Sequence, residues 1–250
     1  MKYKLSIILT VALCASLISC SPSDVRTDVE RETASMESTE DMGQEYIDSF
    51  IFIGESTTYH LKSRGVLSGG RQTHQVWAPE SGTLNLDATV TGVKIVYPKT
   101  GERMTIGEAA ALEQPRRVLL TFGLNGAVQK VAAGEQYFRE CYLSLIEAIR
   151  TSSPSTQIII QSCFPVTADM DMSNYSVSAK QLCERIATIN SWSAALARDL
   201  GLGYLNTAEV LTNADGFLFD EYDVGDGHHL TADAYRVILE YIRTHAQKEK

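Results

Sequence analysis

Ser49-Phe50-Ile51-Phe52-Ile53-Gly54-Glu55-Ser56 sets the frame for this chain. Phe50 to Ile53 shows no alternation of polar and apolar residues, so a strand formed there must be covered on both faces, as the inner strands of parallel sheets are. Two later runs read the same way: Arg117-Val118-Leu119-Leu120-Thr121-Phe122 and Gln157-Ile158-Ile159-Ile160-Gln161-Ser162. Helical patterns, with apolar residues three to four apart, occupy about 134–151, 178–200 and 231–246. In the last of these Ala234, Val237, Ile238, Tyr241 and Ile242 fall on one side. Continuous apolar strands alternating with helices predict an α/β domain whose parallel sheet carries helices on both faces. Ligands of such sheets bind at the carboxyl ends of the strands. Ser56 and Asn125 each lie just past such an end, which predicts that they share one rim.

Between residues 67 and 107 the pattern is weaker. Gln75-Val76-Trp77-Ala78 has the composition of a strand, and Gly92 to Tyr97 followed by Lys99-Thr100-Gly101-Glu102 reads as a hairpin insert.

The chain has 250 residues, 44% of them hydrophobic, enough for one sizeable core. Its start stands apart. Lys2 and Lys4 precede the apolar stretch from Leu5 to Leu17, too short to span a bilayer comfortably and shaped like a signal peptide. Leu17-Ile18-Ser19-Cys20 resembles the bacterial lipoprotein signal, whose cleavage leaves a lipid-modified cysteine as the first residue. Acyl chains on Cys20 would anchor the protein to a membrane without spanning it. From Ser21 to about Gln44 the chain is acidic and poor in large apolar residues, the composition of a flexible tether. The expected organisation is therefore signal peptide over 1–19, lipidated Cys20 and tether over 20–45, and one folded domain over 46–250.

The formal charge of -9 lies partly in that tether, and no Lys/Arg cluster or aromatic-basic stripe follows it. This argues against nucleic acid as a partner. Cys141, Cys163 and Cys183 are odd in number and fit neither a zinc nor a redox spacing, so they read as buried thiols with at most one disulfide.

Three distant segments carry chemistry: Gly54-Glu55-Ser56, Gly123-Leu124-Asn125-Gly126 and Asp226-Gly227-His228-His229-Leu230-Thr231. A serine hydroxyl near neutral pH is a weak nucleophile, so it needs a base, a group that orients the base, and donors for the oxyanion. These segments hold a serine, a histidine, a carboxylate and an amide. Taken singly, Ser56 reads as a helix cap, Asn125 as a turn residue and Asp226-Gly227 as a plain turn. Their joint order and shared rim favour the catalytic reading. His228 competes with His229 for the role of base, and Thr231 caps the last helix. Asp220, Glu221, Asp223, Asp226, His228 and His229 form an acidic-histidine cluster without a recognised metal-ligand spacing, so no metal is expected.

With these residues the chain resembles the SGNH hydrolases, also called the GDSL esterase/lipase family, from about Tyr46 to Ala246. Asp-Gly-x-His-Leu-Thr before a helix is the most distinctive match. The resemblance implies a flavodoxin-like three-layer α/β/α sandwich and ester hydrolysis without a cofactor, with Ser56 as nucleophile, His229 as base and Asp226 as orienter. It further implies an oxyanion hole from the amide of Ser56, the Asn125 side chain and a glycine amide, for which Gly82 is the first candidate and Gly70 the second. Two positions depart from the family pattern: Glu55 stands for the usual Asp, and Gly126 for the Asp after the asparagine. They bear on the hydrogen-bond support of the nucleophile loop, because a glutamate carboxylate lies one methylene further from the backbone. Tyr59, His60, Trp77 and the loop from Phe164 to Tyr175 are candidates for the pocket lining. The expected function is an extracytoplasmic, membrane-anchored esterase at a bacterial cell surface or in a periplasm, acting on acetyl esters of carbohydrate. A lipase or lysophospholipase, or a binding lipoprotein with a decayed site, are the alternatives.

Overall fold

The computed structural model describes residues 35–247. The proposed signal peptide, Cys20 and most of the tether lie outside the described residues. Five parallel strands form the central sheet: β1 (Phe50–Gly54), β2 (Val76–Trp77), β5 (Arg117–Thr121), β6 (Gln157–Gln161) and β7 (Gly203–Leu205), in the order β2-β1-β5-β6-β7. A short antiparallel pair, β3 (Lys94–Val96) and β4 (Arg103–Thr105), lies outside it. The helices are α1 (Gly43–Asp48), α2 (Ser56–Ser63), α3 (Ile106–Glu113), α4 (Ala127–Ala133), α5 (Glu135–Ser152), α6 (Ala179–Leu200) and α7 (Ala232–Thr244).

The apolar strands split by parity. Ile51, Ile53, Val118, Leu120, Ile158 and Ile160 enter one core with α3, α5 and α6, whereas Phe50, Phe52, Leu119 and Ile159 enter a second with α1 and α7. Successive side chains of a strand point to opposite faces, so a run without polar residues fills both cores at once. The result is the three-layer α/β/α sandwich that the sequence resemblance implies, with the flavodoxin-like strand order. The chain reverses its direction across the sheet between β1 and β5, and ligand crevices form outside the strand ends at such a point.

The hairpin forms, but its second strand starts at Arg103, beyond Glu102, and pairs Lys94 with Thr105. All three cysteines are free, Cys141 and Cys163 being buried. Residues 36–45, read from their composition as the end of a tether, are docked on the domain. The amides of Met36, Thr39 and Met42 donate to the carbonyls of Tyr204, Thr244 and Arg243, and Asp41 pairs with Arg243 at 3.1 Å. The segment from Met36 is therefore docked on β7 and the end of α7, and α1 begins at Gly43, inside the stretch read as tether.

Candidate active site

Ser56 opens α2 directly after β1, with Glu55 in extended conformation as the residue before the helix. A helix start leaves its first amides without intrahelical partners, so the serine sits where backbone N–H groups face outward. Glu55 turns inward and is 1% exposed. One of its carboxylate oxygens accepts from the Gly123 amide at 3.0 Å and the other from the Asn125 amide at 2.9 Å. The longer side chain thus bridges β1 to the loop after β5, and the support that the Glu-for-Asp departure bears on is present. Burial pushes the Glu55 carboxyl up to about 7, against the pull of the Asn125 and Gly123 amides and of Lys130. Lys130, one turn into α4, donates to the Asn125 carbonyl. Gly123 has φ +137°, and a Cβ there would come within 2.4 Å of Ile189, so only glycine fits.

The histidine comes from the turn before α7. Asp226 accepts from the amides of His228 at 3.1 Å and His229 at 2.9 Å through one oxygen, and meets His229 Nδ1 at 2.7 Å with the other. His229 Nε2 lies 3.0 Å from Ser56 Oγ. Asp226 accepts the Nδ1 proton, which leaves Nε2 unprotonated and able to accept from the serine. Burial raises the Asp226 carboxyl, but the hydrogen bonds from the His229 side chain and from both histidine amides outweigh it and hold the group at about 2. It is therefore ionised wherever the histidine is to be oriented. Of the two neighbouring histidines, His229 meets the serine, while His228 turns its Nδ1 to the Asp226 carbonyl at 3.2 Å. Asp226, His228 and His229 offer ligand atoms within 4.8 Å of one another, yet both carboxylate oxygens of Asp226 are already engaged by the histidine loop.

Loop 79–85 completes the rim. The Leu84 amide donates to the Gly54 carbonyl at 3.2 Å, and Asn125 Nδ2 donates to Thr83 Oγ1 at 3.1 Å and Asn85 Oδ1 at 3.3 Å. Gly82 therefore stands beside the Asn125 side chain in this loop. Its φ is +75°, and a Cβ would press on the Tyr59 ring at 3.0 Å. Its amide donates to the Pro79 carbonyl at 2.9 Å, so this structure engages it within a turn. Gly70, the second candidate, lies in a turn beyond α2 with its amide on Leu67. Tyr59 and His60 lie near the site, whereas Trp77 is buried among core residues, 1% exposed, and is not part of the groove beside Asn125.

A groove of about 640 Å³ opens beside Asn125 and His228, between the start of α4, the loop 166–176 and the start of α6. Its floor is aliphatic, with Leu124, Val166 and Leu182, and its rim carries Gln129, Asn174, Tyr175 and Ser176. None of its lining residues is an acid, a lysine or an arginine.

Residues 52–237 match the model of the GDSL-like lipase/acylhydrolase family. The chain belongs to that family. No curated protein matches it. Among solved structures, it is similar to the periplasmic domain of a lipopolysaccharide acetyltransferase from Salmonella ser. Paratyphi A, at 18% identity over 78% of this chain and 82% of that one, with a TM-score of 0.49. It is also similar to a GDSL-like lipase from Bacteroides thetaiotaomicron, at 19% identity over 55% of this chain and 68% of that one, with a TM-score of 0.42.

Sequence reasoning missed the bridging role of Glu55, the reach of Lys130 and the pairing of Asn125 with Thr83 and Asn85. Only Lys130 left a signal, five residues after Asn125 at the start of a helical stretch; the other two exist only once the strands are side by side.

Proposed function

We propose that this acylhydrolase-family chain is a serine esterase in which Ser56 attacks an ester carbonyl. His229 takes the hydroxyl proton and returns it to the leaving alcohol, and Asp226 orients the imidazole and stabilises its charged form. Water, activated by the same histidine, then releases the acyl group from the serine. The observation that carries this reading is the continuous relay of Asp226 Oδ2, His229 and Ser56 Oγ at 2.7 and 3.0 Å. The oxyanion donors are the Ser56 amide and Asn125 Nδ2, the latter by turning one of its two hydrogens from Thr83 or Asn85. Gly82 is the third, provided its amide turns from Pro79 when charge develops. A decayed binding module has no need of an aligned relay.

The substrate proposed is a small acyl ester of carbohydrate. An uncharged rim of carboxamides, a hydroxyl and a phenol suits neutral sugar hydroxyls, and it offers no cation to a phospholipid headgroup. The aliphatic floor favours a lipid ester as the second reading. For location, the lipobox-like Leu17 to Cys20 supports a lipid-anchored, extracytoplasmic protein.

A fluorophosphonate probe tests the chemistry: it should label Ser56 and spare the Ser56→Ala variant. The labelled full chain should partition into detergent, and Cys20→Ala should release it. Absence of labelling would remove the esterase reading, and unchanged partitioning of the variant would remove the lipid anchor.

A further inference from the structure

We propose that His60 is a positioning residue that holds the His229 ring in line with Ser56 by ring packing. The proposal rests on the catalytic reading of His229. Residues four apart on a helix share a face. Along α2 and the Arg64 that caps its end this places Ser56, His60 and Arg64 in one stripe, and all three meet the same loop. Ser56 Oγ faces His229 Nε2, the His60 ring packs on the His229 ring with centroids 4.5 Å apart and planes at 49°, and Arg64 Nε donates to the Leu230 carbonyl at 3.3 Å. The His228 ring also lies against His229, centroids 4.0 Å apart. The helix that delivers the nucleophile therefore grips the loop that delivers the base.

Packing, rather than proton transfer, follows from the surroundings of His60. Its Nδ1 is buried with no partner among the described residues. A bare ring nitrogen left there is tolerable as an acceptor, whereas a buried N–H without an acceptor carries the larger desolvation cost. The titratable and charged groups facing the ring are His229, His228, Arg64 and Asp226; burial, then the first of these, hold His60 down to about 4, with Asp226 opposing. The ring is neutral at ordinary pH, so it adds no repulsion when His229 takes up the serine proton. A flat uncharged ring is all the position asks for.

This makes a prediction of sign. His60→Phe keeps the ring and removes the orphan nitrogen, so turnover of an aryl acetate should stay within about threefold of wild type. His60→Ala removes the support, and misplacement of the base should lower kcat by about 10- to 100-fold with KM nearly unchanged. Proton NMR gives a readout independent of turnover: the downfield proton shared by His229 and Asp226 should persist in the full-length wild type and Phe variant and shift or broaden in the Ala variant. Where His60→Ala does not fold by circular dichroism, His60→Gln, which also lacks a ring, replaces it. A Phe variant as slow as the ringless one would overturn the proposal in favour of imidazole chemistry. A ringless variant with wild-type kcat and an unmoved proton would overturn it outright. An inactive, unlabelled wild type would instead defeat the esterase reading, while the NMR comparison would still decide whether His60 holds the His229–Asp226 pair.

Discussion

The nucleophile loop and the histidine loop meet where Ser56 faces His229 but are built on opposite principles. Glu55 and Ser56 follow a strand paired on both sides, and the Glu55 carboxylate is locked to the amides of a neighbouring loop in a site closed to water. The histidine loop is a surface turn held largely by its own residues. Asp223 accepts the amides of Gly225 and Gly227, Asp226 accepts those of His228 and His229, and the Val224 amide returns to the His229 carbonyl. One carboxylate works in dry protein and is pushed up to about 7; the other, partly exposed and multiply hydrogen-bonded, sits at about 2. Two carboxylates of one site are thus given opposite proton affinities by burial on one side and donated hydrogen bonds on the other.

The most severe way to break the comparison is to remove the point where the loops meet. His229→Ala should lower turnover of a short-chain aryl ester on the order of 10⁴- to 10⁶-fold with the fold intact. His228→Ala should cost far less, and the reverse ranking would exchange their roles. If the cluster with Asp226 instead bound a metal, activity would fall with a chelator and return with a divalent ion.

Asn125 tests the side anchored in the core. A donor to charge that exists mainly in the transition state should, when truncated to alanine, lower kcat by about 100- to 1,000-fold and leave KM nearly unchanged. Steady-state kinetics on a variant checked by circular dichroism would show this. Unchanged turnover would leave Asn125 with only its bonds to Thr83 and Asn85.

The smallest effects are the most specific to the contrast, because the two carboxylates link stability to pH with opposite signs. Glu55 has a higher proton affinity folded than unfolded, so the native state holds the extra proton between about pH 4.5 and 7, and its contribution to stability declines as pH rises through that window. Asp226 has the lower affinity when folded, so its contribution is present above about pH 4 and is lost as pH falls towards 2. Urea unfolding across pH should show Glu55→Gln flattening the first slope and Asp226→Asn the second. Glu55→Ala strips the acceptor from two loop amides and should cost about 1–3 kcal/mol for each one left buried and unpaired.

What could be read from the residues followed the same division. The inner strands and their order of use were legible because Phe50 to Ile53 and its two counterparts must fill two cores, and Asp226-Gly227-His228-His229-Leu230-Thr231 was legible because the histidine loop folds on itself, with Thr231 accepting from the Ala234 amide. The short β7 escaped notice because three residues carry no periodicity. Helix α3 escaped although Thr105 and Glu108, reciprocally bonded as a capping box, stood in the sequence three apart. The bridge from Glu55 to Gly123 and Asn125 spans about 70 positions and is created by strand pairing alone. His60 was within reach, since four residues after Ser56 is one helical turn, yet its partner could be named only once α2 and the turn before α7 were side by side.

The docked segment from Met36 to Met42 has a consequence for how the domain can be held. It meets the far end of α7 and leads through α1 into the first residues of β1, whereas Ser56, Asn125 and His229 gather at the other ends of the strands and at the start of α7. Met42, bonded to the carboxyl end of α7, therefore lies on the side of the domain away from the groove. A bead or an electrode fastened at Met42, exposed at that end, would hold the domain with its groove facing outward and leave the path to Ser56 clear.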